Sequence, residues 1–586
     1  MEMNTQTTQA NPFEYDAALN LPADMLIDWY IEDHNFARVL RTTRNVLING
    51  HRGSGKSMML IYNSLRFQKL RHERKQHEFP PQHVGIYVPC NTPLTHRQDH
   101  ELMPIGQQVT LSEFYFVMAI VEAIAEAFEA APVDFLAEDY IILADELRAV
   151  MPNIVINEAS SVFTQMRRNV KNQLIILQQS LQQGILTEVE YNAVSFYSLV
   201  TPILSALKRT SIFKQAHFSI LIDDAHDLNL HQKMLLNSWL TYRDHSVFSF
   251  KVAVAGLRTH NLRTLSGGTV LEGHDYLILD LEQPFQSEES NYAQFAKAVI
   301  EQRLAGVGLE GVAAENFFPQ APEFEADIEA ANASVAQEYL KAKGWDNLSD
   351  LTTDQKKSVR DHVYKYGRAK YFRERKAKSN LPTYAGFDTL VHLSTGVIRN
   401  LLNPCYQMFD SLVSKNEPVA SGIPTGTQSD IVKSKSDEAW EQIRRGLEKV
   451  VEGCTKEDAD YLCNLLTALG DYFVKRLTNH KSEPRILSFI ISEAESENMK
   501  FLENLFRIAQ EAQLLYIRSG SSKTRGRRED YFTPNRILWP VLGLDVCGQH
   551  GRASIPSREL VDAARFKKPI KSDVESREHS EQLGLI

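Results

Sequence analysis

The residues best placed to do chemistry lie at positions 50–57, where the chain reads GHRGSGKS. Glycines at 50, 53 and 55 let successive backbone N–H groups converge on an anion without a Cβ in the way. Lys56 supplies a cationic arm for the β- and γ-phosphates of a nucleoside triphosphate, and the Ser57 hydroxyl an oxygen ligand for Mg²⁺. Gly50, His51, Arg52, Gly53, Ser54, Gly55, Lys56 and Ser57 are therefore the candidate nucleotide-binding residues, with ATP and Mg²⁺ as the expected cofactors. A second acidic site is needed for the metal and the attacking water. Residues 217–227, HFSILIDDAHD, supply it: Asp223 is the candidate Mg²⁺-side carboxylate and Asp224 the candidate water-polarising one.

These side chains need a strand, a loop and a helix in that order. An apolar run at 46–48 precedes the loop, and residues 58–75 follow it with helical spacing and a basic end that suits a helix C-terminus. The run ending in Asp223 reads as a buried parallel strand with carboxylates at its C-terminal edge. Two more strand-like runs follow, at 251–255 and 276–281. Strands alternating with helical patterns predict an α/β domain with a mainly parallel sheet.

A chain of 586 residues is too long for one core, and roughly two to four domains are expected. The net charge of −10 argues against a protein that coats nucleic acid with its whole surface, though not against a local basic patch. Cys90, Cys405, Cys454, Cys463 and Cys547 are scattered without a CxxC pair, which suits free thiols in a reducing compartment. The N-terminus lacks an apolar signal core, and the most apolar stretch, 114–121, is too short to span a membrane. A cytoplasmic protein without a membrane partner is expected.

The opening NPFEYDAALNLPADMLIDWYIED, the GHRGSGKS loop, the LIDDAH strand and the late segment HLSTGVIRNLL (392–402) together resemble AAA+ ATPases of the origin-recognition type, and also the related STAND signalling NTPases. The resemblance implies ATP hydrolysis and an AAA+-like parallel sheet. It also implies a helical lid whose Ser-Thr-Gly-x-x-Arg motif makes Arg399 a γ-phosphate sensor. The sequence departs from the pattern twice. Those families more often carry Glu where Asp224 stands, and a polar residue at the end of the third strand, where Ala253, Val254 and Ala255 stand. Arg258 is a substitute sensor, as in STAND proteins, and Arg263, in the helical segment that follows, is a candidate finger acting on a neighbour's nucleotide.

The remaining sequence divides as follows. Residues 1–40 are expected to pack on the ATPase core of 41–283, which carries a helical insertion at about 91–215. In it, Thr110-x-x-Glu113 reads as a capping box, and a helix at 168–183 as closed by Gly184. A lid at 284–410 carries a polar insertion at about 306–382, whose basic run AKYFRERKAK (369–378) reads as a solvated helix face. Residues 411–436, rich in Ser, Pro, Gly and Lys, read as a linker. A module at 437–560 follows, with helices at 458–477, from Pro484 and at 498–513, then a strand, a basic turn and a last helix from Thr533-Pro534. Residues 561–586 read as a polar tail, and the Cys547/His550 pair as structural.

Three helices and a hairpin with a basic tip resemble a winged helix. Lys523, Arg525, Arg527 and Arg528 are its candidate phosphate contacts on duplex DNA. The fold class is thus an α/β P-loop NTPase core with helical insertions, a helical lid and a C-terminal winged-helix-like domain. Two functions remain open. One is an ATP-driven homo-oligomer assembling on DNA; the other is a STAND-like switch that binds a protein partner or a separate effector. A bacterial defence or mobile-element setting suits either, on the kind of ATPase alone.

Overall fold

The computed structural model describes residues 11–14, 18–32, 37–90, 101, 103–151, 154–156, 161–182, 194–242, 246–256, 261–281, 291–375, 383–479, 484–521, 528–548 and 551–571. The chain forms two compact units, one of residues 16–282 and one of residues 283–586 together with 1–15.

The first unit is built on a parallel sheet of order β2-β3-β4-β1-β5, with β1 at Val46–Asn49, β2 at His83–Pro89, β3 at His217–Asp223, β4 at Phe248–Val254 and β5 at Leu277–Asp280. Every residue of β3 and β4 is buried, as a parallel strand covered on both faces requires. The register pairs Val46 with Lys251 and Leu277, and Ile222 with Val252, so β1, β3 and β4 end near one edge.

The inserted helices are part of this core. Ile105–Ala130 lies against it through residues such as Phe116, which stacks on Trp239 with ring centroids 5.0 Å apart. Phe196 meets Trp239, Phe248 and Phe250. Thr110 falls inside this helix, which starts five residues earlier after Pro104, so it is no N-cap. Glu113 instead accepts from the Phe196 N–H at 3.3 Å. The next predicted helix is Val162–Gln182; Gly184 lies outside the described residues.

The N-terminal segment divides between the two units. Helix Ala23–Trp29 belongs to the first. Residues 11–14 belong to the second, correcting the expectation that all of 1–40 packs on the core. Asn11 Nδ2 donates to Tyr406 O at 2.9 Å, and the fully buried Phe13 meets Phe317, Phe318 and Phe409. An aromatic side chain follows the apolar partners that fold towards it, whatever its position along the chain.

In the second unit the insertion is built mainly of two long helices, Pro322–Lys343 and Thr353–Glu374, packed on each other. The basic run there is not simply solvated: Ala369, Tyr371 and Phe372 are buried. The expected linker instead runs from the end of helix Ile398–Ser414 into the helix Thr425–Arg445. One of its polar residues is satisfied inside: buried Gln428 accepts from Gly386 N at 2.9 Å and donates to Ile423 O at 2.9 Å. Polar composition signals exposure only when the polar groups lack internal partners.

Helix Lys456–Asn479 and helix Ser496–Glu511 match the expectation, but the short helix between them does not exist. Phe489–Ser492 is strand β6, central in a second sheet of order β7-β8-β6-β9, with β7 at Leu515–Ser521, β8 at Arg528–Pro534 and β9 at Ala553–Pro556. Phe489 pairs with Phe532 and Ala553, partners too distant in sequence for local periodicity to reveal. Thr533 and Pro534 likewise end β8 rather than start a helix, because Thr533 pairs with Tyr516. The supposed tail includes helix Ser557–Phe566, held to Lys456–Asn479 by Asn464 Nδ2 donating to Ala564 O at 2.9 Å. The order helix, strand, helix, hairpin retains the winged-helix-like plan, extended by β9.

Asp545 ties the inserted helices to this module. Only 1% exposed, it accepts from Arg368 Nε and Nη2 at 3.2 Å each and from Arg485 Nη1 at 3.0 Å. Burial alone would raise its pKa, but the two guanidiniums hold the carboxyl well below the usual range. A folded pKa below the unfolded value of about 4 means that its stabilisation is complete above that pH and is lost as pH falls through the folded value. Asp545→Ala removes the carboxylate from buried Arg485 and partly buried Arg368 and should cost about 3 kcal/mol, read from denaturant unfolding at neutral pH.

Candidate nucleotide site

Strand β1 delivers the loop to the sheet edge, where Gly50 N donates to Val254 O of β4 at 3.3 Å. The chain then tightens, with Ser54 N donating to His51 O at 3.1 Å. Gly53 and Gly55 have φ of 87° and 95°, which an L side chain adopts only with strain. Gly50 sits where space is tight instead, since a Cβ there would lie 2.5 Å from Ser54 Oγ and 3.3 Å from Leu281 Cβ, so the Ser54 side chain would have to turn away. Gly55 caps the helix Lys56–Tyr62, whose first residues are therefore Lys56 and Ser57. Lys56 is 5% exposed; its Nζ donates to Gly50 O at 2.5 Å and His51 O at 3.0 Å. The ammonium thus sits inside the loop it would need for a phosphate, and Ser57 is half-buried beside it.

Asp223 ends β3, 1% exposed, with both oxygens engaged. Oδ1 accepts from Asp224 N at 3.0 Å and Oδ2 from Tyr87 Oη of β2 at 2.9 Å. Burial and the Asp223 charge push the Tyr87 hydroxyl pKa far up, so it remains a donor. Asp224 has φ 52°, which turns the chain sharply away from the strand. Burial first, then the charges of Asp223 and Asp227, raise its carboxyl to about 6, against the opposing pull of Lys56 and Arg52. The P-loop and the acidic strand therefore feel one another's charge.

Arg52 makes the direct link between them. Its Nη2 lies 3.3 Å from His226 Nε2 and 3.8 Å from Asp227 Oδ1. Burial lowers His226 to about 4, so the imidazole is neutral at pH 7. Tyr87, His226 and Asp227 were not among the residues singled out from sequence. Asp227 stood in view in the run DDAHD, whereas nothing local marks Tyr87, whose role depends on β2 pairing with β3.

The remaining candidates are distributed as follows. Val254 is fully buried at the end of β4, so no polar group stands at that strand end. Arg258 lies outside the described residues. Arg263 is exposed and sits in a loop, not a helix: it bridges Thr269, and its carbonyl accepts from Asn237 Nδ2 at 2.9 Å. The glycines at 267 and 268 close that loop before a helix can form. Arg399 is half-buried in the first turn of helix Ile398–Ser414, in the other unit. Lys523, Arg525 and Arg527 lie outside the described residues, and Arg528 starts β8.

Cys547 is buried, with its thiol raised to about 12 by burial, and so is an inert neutral thiol; His550 lies outside the described residues. Potential ligand atoms of Asp388, His392 and Cys547 fall within 4.8 Å of one another. Arg536 Nη1, however, donates to His392 Nδ1 at 2.9 Å, which leaves the neutral ring's proton on Nε2, facing Asp388. That tautomer has no lone pair for a metal. Among the described residues none of the five cysteines forms a disulfide, and no described helix is long and apolar enough to cross a membrane.

A parallel sheet of this order, with a glycine-lined phosphate loop and an acidic pair at the strand ends, defines a P-loop NTPase core of the AAA+ type. The ORC-CDC6-like family matches residues 11–555, and the chain belongs to that family. The comparison with curated proteins returns no match. Among solved structures, the Aeropyrum pernix Orc1 protein in complex with DNA is matched over 89% of this chain and 92% of that one, at 11% identity and a TM-score of 0.29.

Proposed function

We propose that this protein binds ATP-Mg²⁺ in the loop at 50–57 and hydrolyses it, and that nucleotide governs its homo-oligomeric assembly on duplex DNA through the winged-helix-like module. The glycine loop holding buried Lys56, joined to the acidic run through Arg52 at 3.8 Å from Asp227, carries the nucleotide reading. The loop fits a phosphate: its glycines leave the backbone accessible, and Lys56 can exchange loop carbonyls for phosphate oxygens. Ser57 and Asp223 offer hard oxygen donors of the kind Mg²⁺ takes, and bound Mg²⁺ would neutralise charge developing on the phosphates. Tyr87 fixes the Asp223 carboxylate, and Asp224 holds the attacking water or takes its proton. Arg399 serves as the lid's γ-phosphate contact, Arg258 as a local sensor, and exposed Arg263 reaches a neighbouring protomer.

Membership of the ORC-CDC6-like family supports the DNA reading. Lys523, Arg525, Arg527 and Arg528 then neutralise phosphates. Replacing Arg525, Arg527 and Arg528 together should weaken duplex binding roughly tenfold or more and reduce the slope of log affinity against log salt by about 3. Unchanged binding in a salt titration would remove the module from the DNA interface.

One observation favours a protein partner instead. Helix Ser496–Glu511, the groove-reading position of a winged helix, pairs Arg507 with Glu511 at 2.8 Å and exposes Glu503. Such a face has little net attraction for phosphate. ATP turnover measured with and without duplex DNA, at two salt concentrations, separates the readings. Stimulation that fades with salt fits assembly on DNA. A slow rate indifferent to DNA fits a STAND-like switch acting on a partner or effector protein.

A further inference from the structure

Arg399 follows a turn whose residues are almost wholly buried: Ser394 is 0% and Thr395 2% exposed. Thr395 has φ 54° and Gly396 φ 82°. A β-branched residue holds a left-handed backbone only where its surroundings over-determine it. Those surroundings come from the hairpin β7–β8 and the residues just after it. Arg518 of β7, itself 7% exposed, donates through Nη2 to the Thr395 carbonyl. The Thr395 hydroxyl accepts from Arg536 N at 3.1 Å and lies 3.3 Å from Asn535 Oδ1. On the other side of Arg399, Asn400 Nδ2 donates to the fully buried Tyr516 Oη at 2.9 Å, and Asn535 Nδ2 donates to the same oxygen at 3.3 Å. Tyr292, from helix Asn291–Ala305, closes the set at 2.7 Å from Ser394 Oγ.

Residues 395 and 400 thus bracket Arg399 and are both tied to the hairpin module, while the half-buried Arg399 takes no hydrogen bond from it among the described contacts. We propose that Arg518, Asn535 and Tyr516 are positioning residues for Arg399. They hold its turn in the geometry that nucleotide turnover requires, so that the placement of the β7–β8 hairpin is felt at the nucleotide. The proposal rests on Arg399 contacting nucleotide, as in the function proposed above.

The test is a double-mutant cycle in the full-length chain, reading Mg²⁺-dependent ATP turnover for Arg399→Ala, Arg518→Ala, Arg518→Lys and the Arg399→Ala/Arg518→Ala double variant. Arg518→Ala should slow turnover by roughly two- to thirtyfold, Arg518→Lys should recover most of it, and Arg518→Ala should add nothing to Arg399→Ala. Independent, multiplying effects would overturn the proposal, as would normal turnover by a folded Arg518→Ala chain when Arg399→Ala is slow. If Arg399→Ala turns over normally, the reading of Arg399 fails first and the proposal with it. Should Arg518→Ala not fold, Tyr516→Phe deletes one hydroxyl while keeping the ring, and the same cycle with Arg399→Ala decides.

Discussion

Lys56→Ala is expected to abolish ATP binding. The ammonium is buried in the loop and donates to the Gly50 and His51 carbonyls, contacts that phosphate oxygens can replace. A triphosphate offers charged oxygens in place of neutral carbonyls, and charge-assisted hydrogen bonds are roughly twice as strong as neutral ones. Losing about 3 kcal/mol of such interaction corresponds to a Kd weaker by about 100-fold or more. Titration calorimetry with a slowly hydrolysed ATP analogue measures it, with thermal unfolding of the variant as the control for fold. Wild-type affinity in a folded Lys56→Ala chain would remove the phosphate-loop assignment, and with it the function proposed above.

The second large effect concerns turnover rather than binding. Asp224→Asn keeps the shape and the left-handed turn, which Asn tolerates, but removes the charge that a water-polarising group needs. Turnover should fall about 100-fold or more while ATP affinity is retained. A pH signature accompanies it. Burial and the neighbouring carboxylates raise Asp224 to about 6, so its ionised fraction grows as pH rises through that value. Because kcat/KM reports groups of the free protein, it should climb between about pH 5 and 7 and level off above. The Asn variant should lack this limb. A wild-type profile flat from pH 5 to 7, or an Asp224→Asn chain with normal turnover, would mean that another group positions the water.

The contrast between Asp223 and Asp224 explains why one carboxylate suits each role. Asp223 accepts on both oxygens, from Tyr87 and from the next residue's N–H, and is nearly inaccessible. Asp224, past the sharp turn, is more open, and burial with the neighbouring carboxylates raises its own pKa to about 6.

Much of the nucleotide site was legible in the sequence because its causes are local. Glycines at 53 and 55 are required by backbone angles that few other residues adopt, and a strand before and a helix after the loop follow from short-range apolar patterning. The strand ending in Asp223 could be read for the same reason: buried on both faces, it is an uninterrupted apolar run. What only the tertiary structure decided depends on partners remote in the chain. FIIS became a strand because Phe489 found Phe532 and Ala553; the polar stretch around Gln428 became a buried helix because distant carbonyls and N–H groups consumed its amide. Tyr87 entered the site only through β2 lying beside β3, and the turn before Arg399 owes its shape to Arg518 and Asn535, more than a hundred residues away. Local sequence specifies backbone angles and periodicity, whereas a hydrogen bond or a strand pairing across such separations is a property of the folded chain.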